Sequence, residues 1–121
     1  MPAPIKSTVP CSTLDAIDVR VGTILKVEDV PGSTKLMRLT VSFGDHIRTI
    51  VIRTIVAGIK KERASPLELQ GRQTLFVVNL EPCRMAGELS EGMLFDLGYD
   101  DGIVPVLAVP ERPVPDGTRA G

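Results

Sequence analysis

The stretch Thr74–Leu94, TLFVVNLEPCRMAGELSEGML, decides how the rest of the chain is read. It opens on a continuous apolar run, Leu75-Phe76-Val77-Val78, with the length and β-branched richness of a strand buried on both faces. Asn79 ends the run, and Pro82, which has no N–H to donate, forbids further ladder bonding. Cys83 to Glu88 then reads as a loop carrying Arg84 and the flexible Met85-Ala86-Gly87, before Ser90-Glu91-Gly92-Met93-Leu94 re-enters a strand. A polar, glycine-containing loop held between rigid strands is where binding residues tend to sit, although a plain barrel connection looks the same.

Working back toward the N-terminus, Ser12 with Asp15 suggests a weak helix cap and a single turn through Ile17. Val19 to Glu28 alternates apolar and polar, which predicts a strand with Val19, Val21, Thr23, Leu25 and Val27 on one face and a bend at Gly22. Val30-Pro31-Gly32-Ser33 is a turn, and Lys35 to Phe43 a second alternating strand. Ile47-Arg48-Thr49-Ile50-Val51 is then repeated unchanged as Ile52-Arg53-Thr54-Ile55-Val56. An odd-numbered repeat swaps faces in a pleated strand, so one copy is expected to pair fully and the other to bulge, lengthen the hairpin or extend it. Ser65-Pro66 starts a short helix that Gly71 ends. Beyond the quoted stretch, Met93 to Leu97 is a strand, Asp101-Gly102 a tight turn, and Ile103 to Val109 an edge strand because of Pro105.

Three strands, a short helix and two more strands give an all-β chain in the order of a five-stranded OB-fold barrel, with an SH3-like barrel as the competing topology. The expected division is an N-terminal arm over 1–13, the barrel over 14–109 and a C-terminal extension over 110–121. The 121 residues carry 14 Lys and Arg against 15 Asp and Glu, a net charge of −1, so a strongly basic nucleic-acid sink is excluded. Any polyanion binding must come from local segregation of charge. His46 is the only histidine and reads as a solvated turn residue. Cys11 and Cys83 form no CxxC pair, so the sequence supplies neither a metal cluster nor a nucleophile–base pair. Neither an enzyme nor a cofactor is expected. No apolar run is long enough to span a membrane and no signal-peptide core is present, so a cytoplasmic location is expected.

Several motifs resemble the tRNA-binding domain family, which includes the appendage of bacterial methionyl-tRNA synthetase, free-standing tRNA-binding proteins and CsaA-type chaperones. Asp18-Val19-Arg20-Val21-Gly22 resembles its D-x-R-V-G opening, Arg53 to Ile59 its R-x-I-V-S-G-I segment, and Leu69-Gln70-Gly71-Arg72 its L-x-G-K exit. Asn79 to Gly87 resembles N-L-x-P-x-K-x-x-G, Ser90 to Leu94 S-x-G-M-L, and Val114 to Gly117 V-P-x-G. The family's H-P-x-A-D-K-L loop survives only as Val30-Pro31-Gly32-Ser33-Thr34-Lys35-Leu36, without its His and Asp, and the five-residue repeat lengthens the next connection.

The resemblance implies a non-catalytic module that binds tRNA through shape and backbone, with a possible aminoacyl-tRNA synthetase partner. On its binding face it places Asn79 and Ser90 as readers of base edges, Arg84 on a phosphate and Met93 against a base. Arg20, Lys35, Arg38, Arg53 and Lys60 are further candidates for phosphate contacts. Each has a plainer reading: Arg20 and Arg38 as solvated strand residues, Met93 as core, Asn79 as a strand stop. Phe76 and Phe95 look buried, which leaves little aromatic surface for stacking. Family members that stand alone are homodimers built from terminal extensions, so a two-fold dimer is expected here. The alternative function is a CsaA-type chaperone or export factor for unfolded polypeptide, marked by an apolar rather than a basic groove.

Overall fold

The computed structural model describes residues 2–33, 36–53, 66–98, 100–103 and 106–121. A five-residue helix, α1 (Cys11–Asp15), precedes β1 (Val19–Asp29), β2 (Leu36–Ser42) and β3 (Ile47–Arg53). A single 3-10 turn (Pro66–Leu69) leads into β4 (Gln73–Val77). Five short strands follow: β5 (Cys83–Met85), β6 (Glu88–Ser90), β7 (Met93–Leu94), β8 (Asp96–Leu97) and β9 (Val106–Leu107). The main sheet is antiparallel in the order β3-β2-β1-β4-β7, with β5-β6 and β8-β9 as separate hairpins. The sheet curls until its two ends approach: the Glu91 N–H donates to Thr49 O at 2.9 Å, and the Val51 N–H to Ser90 Oγ at 3.0 Å. This is the expected all-β, OB-like barrel.

β2 follows its sequence pattern closely, with Met37, Leu39 and Val41 buried and Arg38, Thr40 and Ser42 facing outward. β1 departs from simple alternation. Thr23 and Leu25, expected on the core face, are replaced there by Ile24, which is fully buried while Leu25 is 46% exposed. The cause is a register shift between Ile24 and Lys26. At that point β1 hands over from β4 to β2, and Ile24 exchanges backbone bonds with Gly71 and Arg72 instead (2.7 and 2.9 Å). Gly22 is required by space: a Cβ there would sit 2.6 Å from Val41 Cγ1 and 2.8 Å from Phe43 Cε1.

The first copy of the repeat pairs fully with β2, and the strand runs on without a bulge through Ile52 and Arg53 of the second copy. Residues 54–56 lie outside the described residues. The face swap produced by the odd repeat puts three consecutive apolar residues, Ile50, Val51 and Ile52, in buried positions. Ile50 and Ile52 point into the barrel, and Val51 is covered from outside by the β5–β6 hairpin that bonds to its N–H. The core is otherwise built from Ile24, Val27, Leu39, Leu69, Phe76 and Leu94, with Phe43 edge-on to Phe76 at 5.5 Å.

Other expectations need correcting. Cys83 to Glu88 is not an open loop but the two arms of a hairpin, because Ala86 and Gly87 both adopt positive φ (50° and 82°) and close a two-residue turn. Phe95 is 40% exposed, not buried. It belongs to the short connection between β7 and β8, whose backbone still bonds to β4 through Phe95 N–H and Leu75 O at 2.9 Å, so its side chain, not its backbone, is what faces outward. The helix begins at Cys11 with Pro10 at its cap and no side-chain capping bond, so Ser12 does not cap it. Segment 117–120 runs alongside β1. Its Thr118 O, Gly117 N and Ala120 N bond to Val21 N, Val21 O and Val19 O at 2.7–2.9 Å, adding it to the free side of β1. Thr23 and Gln73 hold Asp116 in place (2.6 and 3.0 Å).

Candidate nucleic-acid interface

In an OB barrel the outer face of strands 2 and 3, flanked by two loops, is the usual platform for oligonucleotides. Here that face carries Arg38, Thr40, Thr49 and Val51, and the β5–β6 hairpin forms its wall. Residues opposite one another in a hairpin share a face, so the pairs Met85–Glu88 and Arg84–Leu89 lie on opposite sides of it. Ser90, buried beneath the hairpin, and Glu88 turn toward β3 and β2. Arg84 and Leu89 are exposed, on the side turned to solvent.

Each sequence candidate has a definite place. Arg84 is an exposed cation. Met93 is 51% exposed beside Leu94, which is buried, so it is not part of the core. Ser90 is only 4% exposed, and its hydroxyl accepts from Val51 N–H while donating to Gly92 O at 2.9 Å. Asn79 uses its whole amide on the chain before β1: Nδ2 donates to Ala16 O at 2.6 Å and Oδ1 accepts from Asp18 N–H at 2.8 Å. With Asp15 to Asp18 and Arg119 it lines a small cleft at the start of β1. Ser90 and Asn79 are thus held by partners 39 to 63 residues away, and both act as fasteners of the fold.

The arginines are largely matched internally. Arg20 bonds Asp18 at 3.0 Å and donates to Gly117 O at 3.2 Å, while Arg119 reaches the same carboxylate at 3.3 Å. Arg38 sits between two carboxylates, with Nη1 2.5 Å from Glu88 and Nη2 3.5 Å from Glu28. The hydrogen bond to Glu28 and then the field of Glu88 push its pKa above the ordinary guanidinium value. Arg53 ends β3 opposite Leu36. Lys35 and Lys60 lie outside the described residues. The structure therefore gathers Arg38, Arg84 and Ser90 around one hairpin, while Arg20 and Asn79 belong to the start of β1.

Sequence reasoning missed Arg48, which donates to the carbonyls of Val78 and Glu91 and ties β3 to the connections flanking the hairpin. It lies opposite Val41, on the same side of β3 as Ile50 and Ile52, so a cation at an inward position of the first repeat copy was the available signal. Glu91 was missed too: its carboxylate accepts from Thr49 N–H at 3.0 Å. Among the described residues no three His, Cys, Asp or Glu side chains are grouped to hold a metal ion. Both cysteines are free, and no helix there is long and apolar enough to cross a membrane.

Against known proteins, the family profile described as "Putative tRNA binding domain" matches residues 19–119. The chain belongs to that family. It is 44% identical over 112 residues to a methionine–tRNA ligase of Methanothrix thermoacetophila, covering 93% of this chain and 15% of that protein. The chain thus spans about one-sixth of the ligases it matches. Among solved structures, the MetRS-related protein of Pyrococcus horikoshii superposes with a TM-score of 0.81 at 33% identity, covering 96% of this chain and all of that one. The chaperone CsaA of Bacillus anthracis superposes at 0.75 with 27% identity, covering 95% of this chain and all of that one. The family's barrel is the architecture described above.

Proposed function

We propose that this chain is a non-catalytic tRNA-binding module that recognises tRNA by shape and backbone and serves an aminoacyl-tRNA synthetase in the cytoplasm. The observation that carries this reading is the match to a segment of methionine–tRNA ligases along almost the whole chain, together with a family profile covering 101 of its residues. An OB-like outer face walled by a hairpin that presents Arg84 supports the same reading. Arg84 would contact phosphate, with Met93 as an exposed apolar surface for a base; Asn79, Ser90 and Arg20 would support the site by holding its framework. The net charge of −1 favours modest affinity with strong dependence on salt.

A two-fold dimer completes the proposal. The N-terminal arm carries Ile5 at 99% exposure, with Val9 and Leu14 also exposed, and the Ala3 N–H donates to the carboxylate of Asp101. Around the β8–β9 hairpin, Leu97, Ile103 and Val106 are uncovered as well. Apolar surface of this kind is what a second copy covers. Sedimentation at micromolar concentration should give a dimer, and a monomer would remove this part of the reading. The CsaA likeness, with the same exposed apolar residues, favours polypeptide binding as the second reading.

An anisotropy titration against total tRNA and an unfolded peptide, each at two salt concentrations, separates the two. Saturable tRNA binding that weakens with salt and with Arg84→Ala supports the RNA module. Tight peptide binding without a tRNA signal replaces it with the chaperone.

A further inference from the structure

Arg38 stands in the middle of the outer sheet face, yet it is the most heavily neutralised cation among the described residues. Glu28, its direct neighbour across the β1–β2 pair, approaches one nitrogen at 3.5 Å. Glu88, from the hairpin that folds over β3, reaches the other at 2.5 Å. Two carboxylates on one guanidinium leave a net negative charge where an OB barrel ordinarily presents its ligand surface. All three side chains are about a quarter to a third exposed, so the cluster is open to solvent and to a competing anion.

We infer that Glu88 is an internal competitor for polyanions: it occupies Arg38 in the place of a phosphate and thereby sets the affinity of the β2–β3 face. This rests on the tRNA-binding reading only for the identity of the natural ligand, since masking by Glu88 applies to any polyphosphate. Arg84 is on the opposite side of the same hairpin and stays open. Among the described residues, the hairpin accordingly has one exposed candidate phosphate contact, Arg84, on its outer side and one concealed one, Arg38, beneath it. A phosphate reaching Arg38 must displace a carboxylate already in contact with it, exchanging one charged pair for another with little net gain. The hairpin itself does not depend on this pair, because Ser90 and Glu91 anchor it to the β3 backbone.

The test titrates tRNA and inorganic polyphosphate against the full chain and against Glu88→Gln, Arg38→Met and the double variant. Glu111→Gln, on the exposed tail, controls for simple loss of charge. Glu88→Gln should tighten both ligands roughly two- to fivefold at low salt, the equivalent of a surface ion pair. It should also steepen the salt dependence by about one phosphate contact. With Arg38→Met already in place, Glu88→Gln should change affinity no more than Glu111→Gln does. The inference is overturned if Glu88→Gln fails to tighten polyphosphate, or if the gain survives without Arg38. Should polyphosphate behave as expected while no variant binds tRNA, the masking stands and the tRNA reading falls.

Discussion

Ser90 Oγ lies 3.0 Å from the backbone nitrogen of Val51, and this bond helps join the two ends of the curled sheet. The hydroxyl is buried and also donates to Gly92 O, so Ser90→Ala leaves an N–H and a carbonyl short of partners. A loss of about 1–3 kcal/mol is expected in urea unfolding, the cost of stranding a buried polar group. If stability is unchanged and only tRNA affinity falls, Ser90 belongs to the ligand surface instead.

Gly22 has no room for a side chain. Its Cβ would meet Val41 and Phe43, both buried. Gly22→Ala should destabilise the barrel by about 1–3 kcal/mol, the usual effect of overpacking. An unshifted thermal midpoint would contradict the tight β1–β2 contact.

Ala86 is the sole non-glycine with positive φ among the described residues. Left-handed backbone costs an ordinary residue about 1–2 kcal/mol, and Asn tolerates it far better. Ala86→Asn, which creates Asn-Gly at the hairpin tip, should therefore raise stability by roughly 1 kcal/mol. Chemical denaturation measures it, and a loss would mean that the turn is built differently.

Asp96 has a carboxylate oxygen buried without a hydrogen-bond partner. Burial first, and the nearby charge of Asp100, raise its pKa above the ordinary 3.8. A folded-state pKa above the unfolded value means that the native protein holds its proton more tightly. The resulting stabilisation is complete below the unfolded value and is lost as pH rises through the raised one. Asp96→Asn should flatten this part of the stability–pH curve and stabilise the protein at neutral pH. A wild-type-like dependence in the variant would assign the effect elsewhere.

Much of the fold was legible because its signals are local. The alternation of β2, the Gly71 stop and the Asp101-Gly102 turn each depend on residues within a few positions. What escaped depends on distant partners. The β1 register shift exists because Gly71 and Arg72 take up the backbone of Ile24, and no pattern inside β1 reveals that. The β5–β6 hairpin has strands of three residues, too short for periodicity to register. At the site, Arg84 and Met93 were legible as exposed candidates. The structural duties of Asn79 and Ser90 were not, since the groups they satisfy are supplied by segments 39 to 63 residues away in the chain. The sharing of Arg38 between carboxylates from β1 and β6 was equally invisible along the chain.

The addition of segment 117–120 to β1 has a mechanical consequence. Val19 faces Ala120 and Val21 faces Thr118, so the two runs are antiparallel with their outer ends side by side. A pull that separates residue 19 from residue 120 loads these bonds one after another, in the manner of a zipper, not all at once in shear. The tail would therefore peel away at low force, before the pairing of β1 with β2 and β4 has to give.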